Sequence, residues 1–143
     1  MTDGLEANVR FFKMVTGGSV LLENPYCASQ FIFFLFDTVH LFKNVYNNLV
    51  NYGIFQCPSF ENHQNTITAK FGHLKDLYQL ELGEPIKRAH KICDKVLRPS
   101  SVEKTNVMLA DSCFHESTIN TLMYYGRRGH AKFLETAEVF KIV

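Results

Sequence analysis

One apolar run and the residue that ends it hold the clearest potential for chemistry in this sequence. Phe31–Phe36 contains no polar residue, and Asp37 follows it directly. An unbroken apolar run is typical of a strand buried on both faces. The carboxyl end of such a strand is where α/β folds place their functional groups. Asp37 is therefore a candidate for holding a divalent metal ion.

A polar stripe continues beyond Asp37. Its members recur three or four residues apart and would share one face of a helix, opposite the apolar residues Val39, Phe42, Val45 and Leu49. The stripe consists of His40, Lys43, Asn44, Asn47 and Asn51. An alternative stays open at this point: Asp37 as the N-cap of the helix and the stripe as a solvated face, because one carboxylate is not a catalytic site.

Other motifs of binding and catalysis are weaker. The four cysteines are widely spaced without a C-x-x-C pair, which favours buried reduced thiols over a zinc site. Thr16-Gly17-Gly18-Ser19 lacks the lysine of a phosphate-binding loop. The sequence places no second group at nucleophile–base spacing from His40 or His115, so it does not favour a self-contained enzyme that uses either histidine.

Composition predicts an ordinary globular protein. The 143 residues are 46% hydrophobic and 20% charged, with a formal net charge of +1. A chain so close to neutral has no strong overall attraction to nucleic acid, so any such contact needs a local patch. The N-terminal residues do not form a signal peptide, and the longest apolar run is too short for a membrane span. We expect a soluble, intracellular protein.

Apart from the Phe31–Phe36 strand, the periodicity predicts only helices and loops. Asp3 and Glu6 have capping-box spacing, and Gly17 and Gly53 are expected to end two helices. Ser100 and Glu103 form a second capping box, which is expected to open one long helix. This long helix is expected to cover 100–125. The other predicted helices cover 39–52, 68–82 and 131–143, and a loop is predicted over 55–65.

Several motifs in order resemble the P element and THAP-domain DNA transposases. The first is the apolar strand followed by D-x-x-H-L-x-K-N-x-x-N-N from Asp37 to Asn48. The others, upstream and downstream, are Phe11–Lys13, Glu23–Pro25, Leu74–Tyr78, Pro85–Lys87, Lys91–Lys95, Val102–Ala110 and Glu135–Glu138. Together they span nearly the whole chain.

This resemblance implies a fold class and two domains. The expected fold is mainly α with a minor α/β portion. Residues 1–53 would be part of a ribonuclease H-like transposase core that contributes one buried strand and the following helix. Residues 54–143 would be most of an all-helical insertion domain that binds GTP.

The resemblance also implies site residues and partners. Asp37 would be the second acidic residue of the catalytic core and a Mg²⁺ ligand, supported by His40, while Lys43 and Asn47 would contact nucleic acid. The residues expected to bind GTP are Asp94, Lys95, Asn106 and Val107. Transposon-end DNA, a full-length transposase or a second copy of the chain would be partners, and the nucleus the location.

The same resemblance predicts that this chain does not cut DNA by itself, since it supplies one catalytic carboxylate where such chemistry needs three or four. Two departures from the family's pattern, Tyr46 in place of arginine and the run Asp111–Glu116, suggest relaxed constraint. The expected function is a transposase fragment that retains at most GTP and nucleic-acid binding. The alternative is a non-enzymatic helical interaction module derived from a transposase.

Overall fold

Helices dominate the computed structural model, which describes residues 6–59 and 65–143. Of the described residues 55% are helical and 16% lie in strands, so the predicted mainly α class is confirmed. The helices are α1 (Glu6–Thr16), α2 (Thr38–Tyr52), α3 (Phe71–Leu80), α4 (Asp94–Leu97), α5 (Val107–Phe114), α6 (Glu116–Gly126) and α7 (Lys132–Ile142). The strands are β1 (Leu21–Asn24), β2 (Cys27–Phe33), β3 (Ile54–Pro58) and β4 (Thr66–Lys70). Within these ranges, no helix has the length and apolar character that a membrane crossing requires.

The chain divides into two compact units, one up to Leu41 and one from Phe42 onward. Helix α2 begins in the first unit and continues in the second. The boundary predicted after residue 53 concerns the two domains of a transposase, which is a different division. That boundary stays a prediction.

The first unit contains α1 and a hairpin of β1 and β2. Helix α1 ends where the sequence predicts, because Gly17 adopts a φ of 63° that other residues rarely take. Phe12 is the buried residue of this helix, and its ring centroid lies 5.1 Å from that of Phe36. Asp3, the first residue of the predicted capping box, lies outside the described residues.

The predicted strand buried on both faces is wrong in its limits and in its burial. Strand β2 begins earlier, at Cys27, and ends at Phe33, three residues before Phe36. It pairs antiparallel with β1 in a two-stranded hairpin, with Leu21 opposite Phe33. Phe31 and Phe33 are 57% and 68% exposed, because no second layer of described residues covers them.

A second hairpin corrects the prediction of loops and helices alone after residue 53. Strands β3 and β4 pair antiparallel where the sequence predicts a loop and the start of a helix. Ile67 and Ala69 are buried while Thr66 and Lys70 are exposed, which is the alternation of a strand with one buried face. The predicted helix therefore begins at Phe71 instead of residue 68, and the range 54–143 is not all helical.

Helix α7 covers the free edge of β4 with side chains. The backbone N–H groups of Thr68 and Lys70 donate to Glu135 Oε1 at 2.8 Å and to Thr136 Oγ1 at 3.2 Å. Ala137 is buried in the core beside them. An open strand edge invites pairing with another chain, and these bonds remove two of its donors. The Glu135–Glu138 motif thus has a structural task.

The core of the second unit forms around α2. Tyr46 and Leu49 are completely buried among residues of every later helix, and the Tyr46 hydroxyl donates to the carbonyl of Val96 at 2.8 Å. Helix α2 ends as predicted at Gly53, whose φ is 75°. The other completely buried large apolar side chains are Leu74, Leu77, Val96, Leu122, Phe133 and Val139.

The predicted long helix from Ser100 to Tyr125 is broken twice. Its capping box is present, because Ser100 and Glu103 exchange backbone-to-side-chain hydrogen bonds of 2.9 and 3.3 Å. This box opens only a three-residue 3-10 turn. Asn106 then caps α5 and His115 caps α6, each accepting a backbone N–H with its side chain. Side-chain caps at both breaks redirect the chain so that each helix packs separately.

A buried carboxylate organises the segment between α3 and α4. Glu81 is 2% exposed, and its two oxygens accept the backbone N–H groups of Arg88 at 3.1 Å and Ala89 at 3.0 Å. The bonded groups lie seven and eight residues further along the chain. One side chain therefore holds a segment that has little regular structure of its own.

Gly126 allows α6 and α7 to approach closely. A Cβ atom at this position would lie 2.5 Å from Leu134 Cδ2 and 2.8 Å from its Cγ. We expect Gly126→Ala to lower the free energy of unfolding by about 1–3 kcal/mol, since Leu134 must leave its rotamer or the helices must separate. The matched control is Gly72→Ala in α3, where a Cβ meets no described atom within 4 Å. At that position alanine should raise the free energy of unfolding, measured with urea, by up to about 1 kcal/mol, because alanine has the higher helix propensity.

Glu81 tests the organisation of the segment that follows α3. Glu81→Ala leaves two backbone donors without an acceptor, so we expect the free energy of unfolding, measured with urea, to fall by about 2–4 kcal/mol. Glu81→Gln keeps one acceptor and should lower the free energy of unfolding by less. The exposed Glu84→Ala serves as the control, and an equal effect at both positions would contradict the structural role of Glu81.

Candidate functional site

Asp37 and His40 form a hydrogen-bonded pair at the start of α2. Asp37 Oδ2 lies 2.8 Å from His40 Nδ1, and Asp37 Oδ1 accepts the backbone N–H of Val39 at 2.9 Å. The hydrogen bond with His40 is the main cause that lowers the pKa of Asp37 below its ordinary value. Asp37 thus serves as the helix cap that the sequence left open as an alternative, with both oxygens engaged.

The described residues do not form a magnesium site around Asp37. A divalent ion of this kind needs several oxygen ligands, and catalytic clamps use three or four carboxylates. Across residues 6–59 and 65–143, no group of three or more His, Cys, Asp or Glu side chains is placed to hold a metal. Asp37 alone, with its oxygens already bonded, does not fit the ion, and no chemical step is assigned to a metal here.

The predicted nucleic-acid contacts belong to the second unit. Lys43 is half-buried, and the side-chain N–H₂ of Asn47 donates to the carbonyl of Lys104 at 3.1 Å. The Lys104 ammonium in turn donates to Asn51 Oδ1 at 2.6 Å. Asn47 and Asn51 therefore face the 3-10 turn (Glu103–Thr105). Asn47 Oδ1 is buried and has no hydrogen-bond partner among the described residues.

The four predicted GTP-binding residues lie on two helices that pack together, α4 and α5. Asp94 and Lys95 are exposed in the first turn of α4. Asn106 uses its Oδ1 to cap α5, accepting the N–H of Met108 at 2.9 Å, and Val107 is half-buried. The positive charge of Lys95 helps to lower the pKa of Glu103, after the hydrogen bonds from Ser100 that are the main cause. Lys95 is thus within electrostatic reach of the turn that precedes Asn106.

His115 has a local role. Its Nδ1 accepts the backbone N–H of Ser117 at 3.1 Å and lies 2.8 Å from the Ser117 hydroxyl. Both contacts are made within two residues, which is the geometry of a helix cap. His115 therefore stabilises the first turn of α6.

Sequence reasoning missed a basic cavity beside α6. It has a volume of about 310 Å³. Its walls come from Glu84, Arg88, Tyr124, Tyr125, Arg128 and His130. The four-residue spacing of Tyr124 and Arg128 is a signal that the sequence does contain. Arg88 lies far away in the sequence and reaches the cavity only through the fold. Burial is the main cause that raises the pKa of Tyr125, so this hydroxyl stays a neutral hydrogen-bond donor.

Comparison with solved structures identifies the fold. The structure matches a chain of the Drosophila P element transposase strand transfer complex with a TM-score of 0.80 and 22% sequence identity. The match covers 97% of this chain and 30% of the transposase chain. This chain has the fold of part of a P element transposase. The resemblance predicted from the sequence is thereby confirmed.

The match to the P element transposase rests on structure. No protein-family model matches this chain, and no curated protein matches its sequence. The chain spans less than a third of the transposase chain, so the activity of the whole transposase does not transfer with the fold. At 22% identity most side chains differ between the two chains, so the match shows a shared architecture.

The Asp37–His40 pair generates a prediction on pH. Because the folded-state pKa of Asp37 is lowered, the pair contributes stability above the ordinary carboxyl pKa and loses it as the pH falls through the lowered value. His40→Ala should therefore raise the pKa of Asp37 towards its ordinary value, as measured by carbon-detected NMR of the carboxyl groups. Thr38→Ala in the same turn is the control and should leave this pKa in place. An unchanged pKa in His40→Ala would show that the backbone N–H groups, and not His40, lower it.

Proposed function

We infer that this chain is a module derived from a P element transposase, and that its biochemical activity is binding of GTP by the second unit. The observation that carries this inference is the fold match over 97% of the chain. The family's motifs in order along the sequence support it. Residues 1–53 would correspond to the end of the ribonuclease H-like core, and residues 54–143 to the insertion domain.

The arrangement of α4 and α5 supports guanine-nucleotide binding. The Asp94 carboxylate is exposed and can accept the two N–H donors of a guanine edge, which adenine lacks. The Lys95 ammonium is an exposed point charge suited to a phosphate. Asn106 and Val107 begin α5, and the unpaired N–H groups of a helix N-terminus favour a phosphate nearby. These four residues supply both recognition of the base and compensation of charge.

DNA binding without cleavage completes the proposal. Lys43 and Asn47 would contact transposon-end DNA, Asn47 after its amide group releases the carbonyl of Lys104. Asp37 would be the second acidic residue of the transposase core, but a single carboxylate does not assemble the metal clamp that strand cleavage needs. The chain would act in the nucleus, together with a full-length transposase or a second copy of itself.

One observation favours the second candidate, a non-enzymatic interaction module. The β1–β2 hairpin and the residues beside it expose a series of apolar side chains. They are Val20, Leu21, Phe31, Ile32, Phe33 and Leu35. An apolar surface of this kind is typical of a protein contact. The two candidates differ in whether the second unit binds a nucleotide, and a nucleotide titration distinguishes them.

Titration of the purified chain with a fluorescent GTP analogue tests the proposal. We expect saturable binding that excess GTP displaces and excess ATP does not. Asp94→Asn should reduce the preference for GTP over ATP, and Lys95→Gln should weaken binding by about tenfold, the loss of one charge-assisted contact. Asp111→Asn and Lys141→Gln, exposed on α5 and α7, are the matched controls.

The opposite outcome has an equally clear meaning. A chain that is helical by circular dichroism and binds no GTP would exclude the nucleotide proposal and leave the interaction module. Magnesium-dependent nicking of DNA by the chain, abolished by Asp37→Ala, would exclude the proposal that it does not cleave.

A further inference from the structure

Two arginines converge on one tyrosine in the basic cavity beside α6. The guanidinium carbon of Arg88 lies 4.2 Å from the centroid of the Tyr124 ring, and that of Arg128 lies 4.0 Å from it. Arg128 also donates a hydrogen bond to the Tyr124 hydroxyl. Among the described residues, neither guanidinium has a carboxylate within ion-pair distance. The cavity therefore holds two positive charges without a direct counter-ion.

The backbone positions of both arginines are fixed. Buried Glu81 accepts the backbone N–H of Arg88, which anchors that residue against the second unit. Arg128 follows the end of α6, and its backbone N–H donates to the carbonyl of Tyr125 at 3.0 Å. Each guanidinium then rests against the same ring. A guanidinium held over a ring by a cation–π contact has less rotational freedom to lose when a ligand binds, which lowers the entropic cost of binding.

The chemistry of the cavity fits a phosphate group. A guanidinium that stacks on a ring keeps N–H donors in its own plane, and this fork matches the oxygens of a phosphate. Two like charges held near one ring repel each other, and an anion with more than one negative charge relieves this repulsion best. Glu84 lines the same cavity and offsets one of the two charges, which leaves a net positive site.

We propose that the Arg88–Tyr124–Arg128 cavity binds a phosphate group, carried either by a free nucleotide or by a nucleic-acid strand. This site shares no residue with the GTP contacts assigned to Asp94, Lys95, Asn106 and Val107. It stands independently of the proposed function, because it rests on the convergence of Arg88 and Arg128 and not on the fold match.

The test is isothermal titration of the full chain with inorganic tripolyphosphate at low ionic strength. The expected result is saturable binding that Arg88→Gln and Arg128→Gln each weaken by about tenfold or more. The matched control is Arg127→Gln, which removes the same charge from the residue next to Arg128 but does not line the cavity. It should change the affinity by less than about twofold, the size of a screened long-range effect.

Two results would overturn the proposal: no saturable binding by the unaltered chain, or equal weakening by Arg127→Gln. Circular dichroism of each variant shows whether the helices are intact. Lys141→Gln, which removes an exposed charge from α7 and belongs to neither site, should leave the affinity for tripolyphosphate unchanged. Saturable tripolyphosphate binding without GTP-selective binding, or the reverse, makes failure of the GTP site and failure of this cavity separate outcomes.

Competition identifies the source of the phosphate. Displacement of tripolyphosphate by GTP and ATP alike, at lower concentrations than by a single-stranded oligonucleotide, supports a free nucleotide. Stronger displacement by the oligonucleotide, lost in Arg88→Gln, supports a nucleic-acid strand. Displacement by neither would overturn the assignment to nucleotides and nucleic acids.

Discussion

The second unit depends on the buried hydrogen bond between Tyr46 and Val96. Tyr46 has no exposed surface, and its hydroxyl donates to a carbonyl 50 residues away in the sequence. Burial is the main cause that raises the pKa of Tyr46, so the hydroxyl keeps its proton and remains a donor. This bond holds the short helix α4 against α2. The positions of Asp94 and Lys95, which open α4, therefore depend on a residue of the core.

Packing also gives a role to residues that depart from the pattern expected of the transposases. Tyr46, at a position where the resemblance leads us to expect an arginine, fills the centre of the core. Cys113 and Phe114 belong to the unusual run in α5, and both are buried. The Phe114 ring lies 5.2 Å from that of Phe42 and 4.8 Å from that of Phe140. Burial raises the pKa of the Cys113 thiol, so this residue is an inert part of the core. These positions therefore have a packing role in the core, while relaxed constraint stays a prediction.

Three of the polar residues that the sequence marks for chemistry serve the backbone in this fold. Asp37 and Asn106 cap helices, and Asn47 binds the carbonyl of Lys104. Arg88 and Arg128 have no obvious motif around them, yet their guanidinium groups meet at Tyr124, and neither pairs with a carboxylate among the described residues. A backbone donor or acceptor must be satisfied before a fold is stable, so short polar side chains are used there first.

The sequence by itself determined the features that depend on near neighbours. Gly17 and Gly53 end helices because glycine adopts a positive φ at little energetic cost. Ser100 and Glu103 close a capping box within four residues. The tertiary structure decided the pairing of both hairpins and the meeting of Arg88 with Tyr124. Strand pairing and side-chain convergence depend on partners distant in the sequence, which local periodicity does not encode. The apolar run Phe31–Phe36 specified a hydrophobic segment, but only its neighbours in space decided that Phe31–Phe33 would pair along one edge and remain exposed.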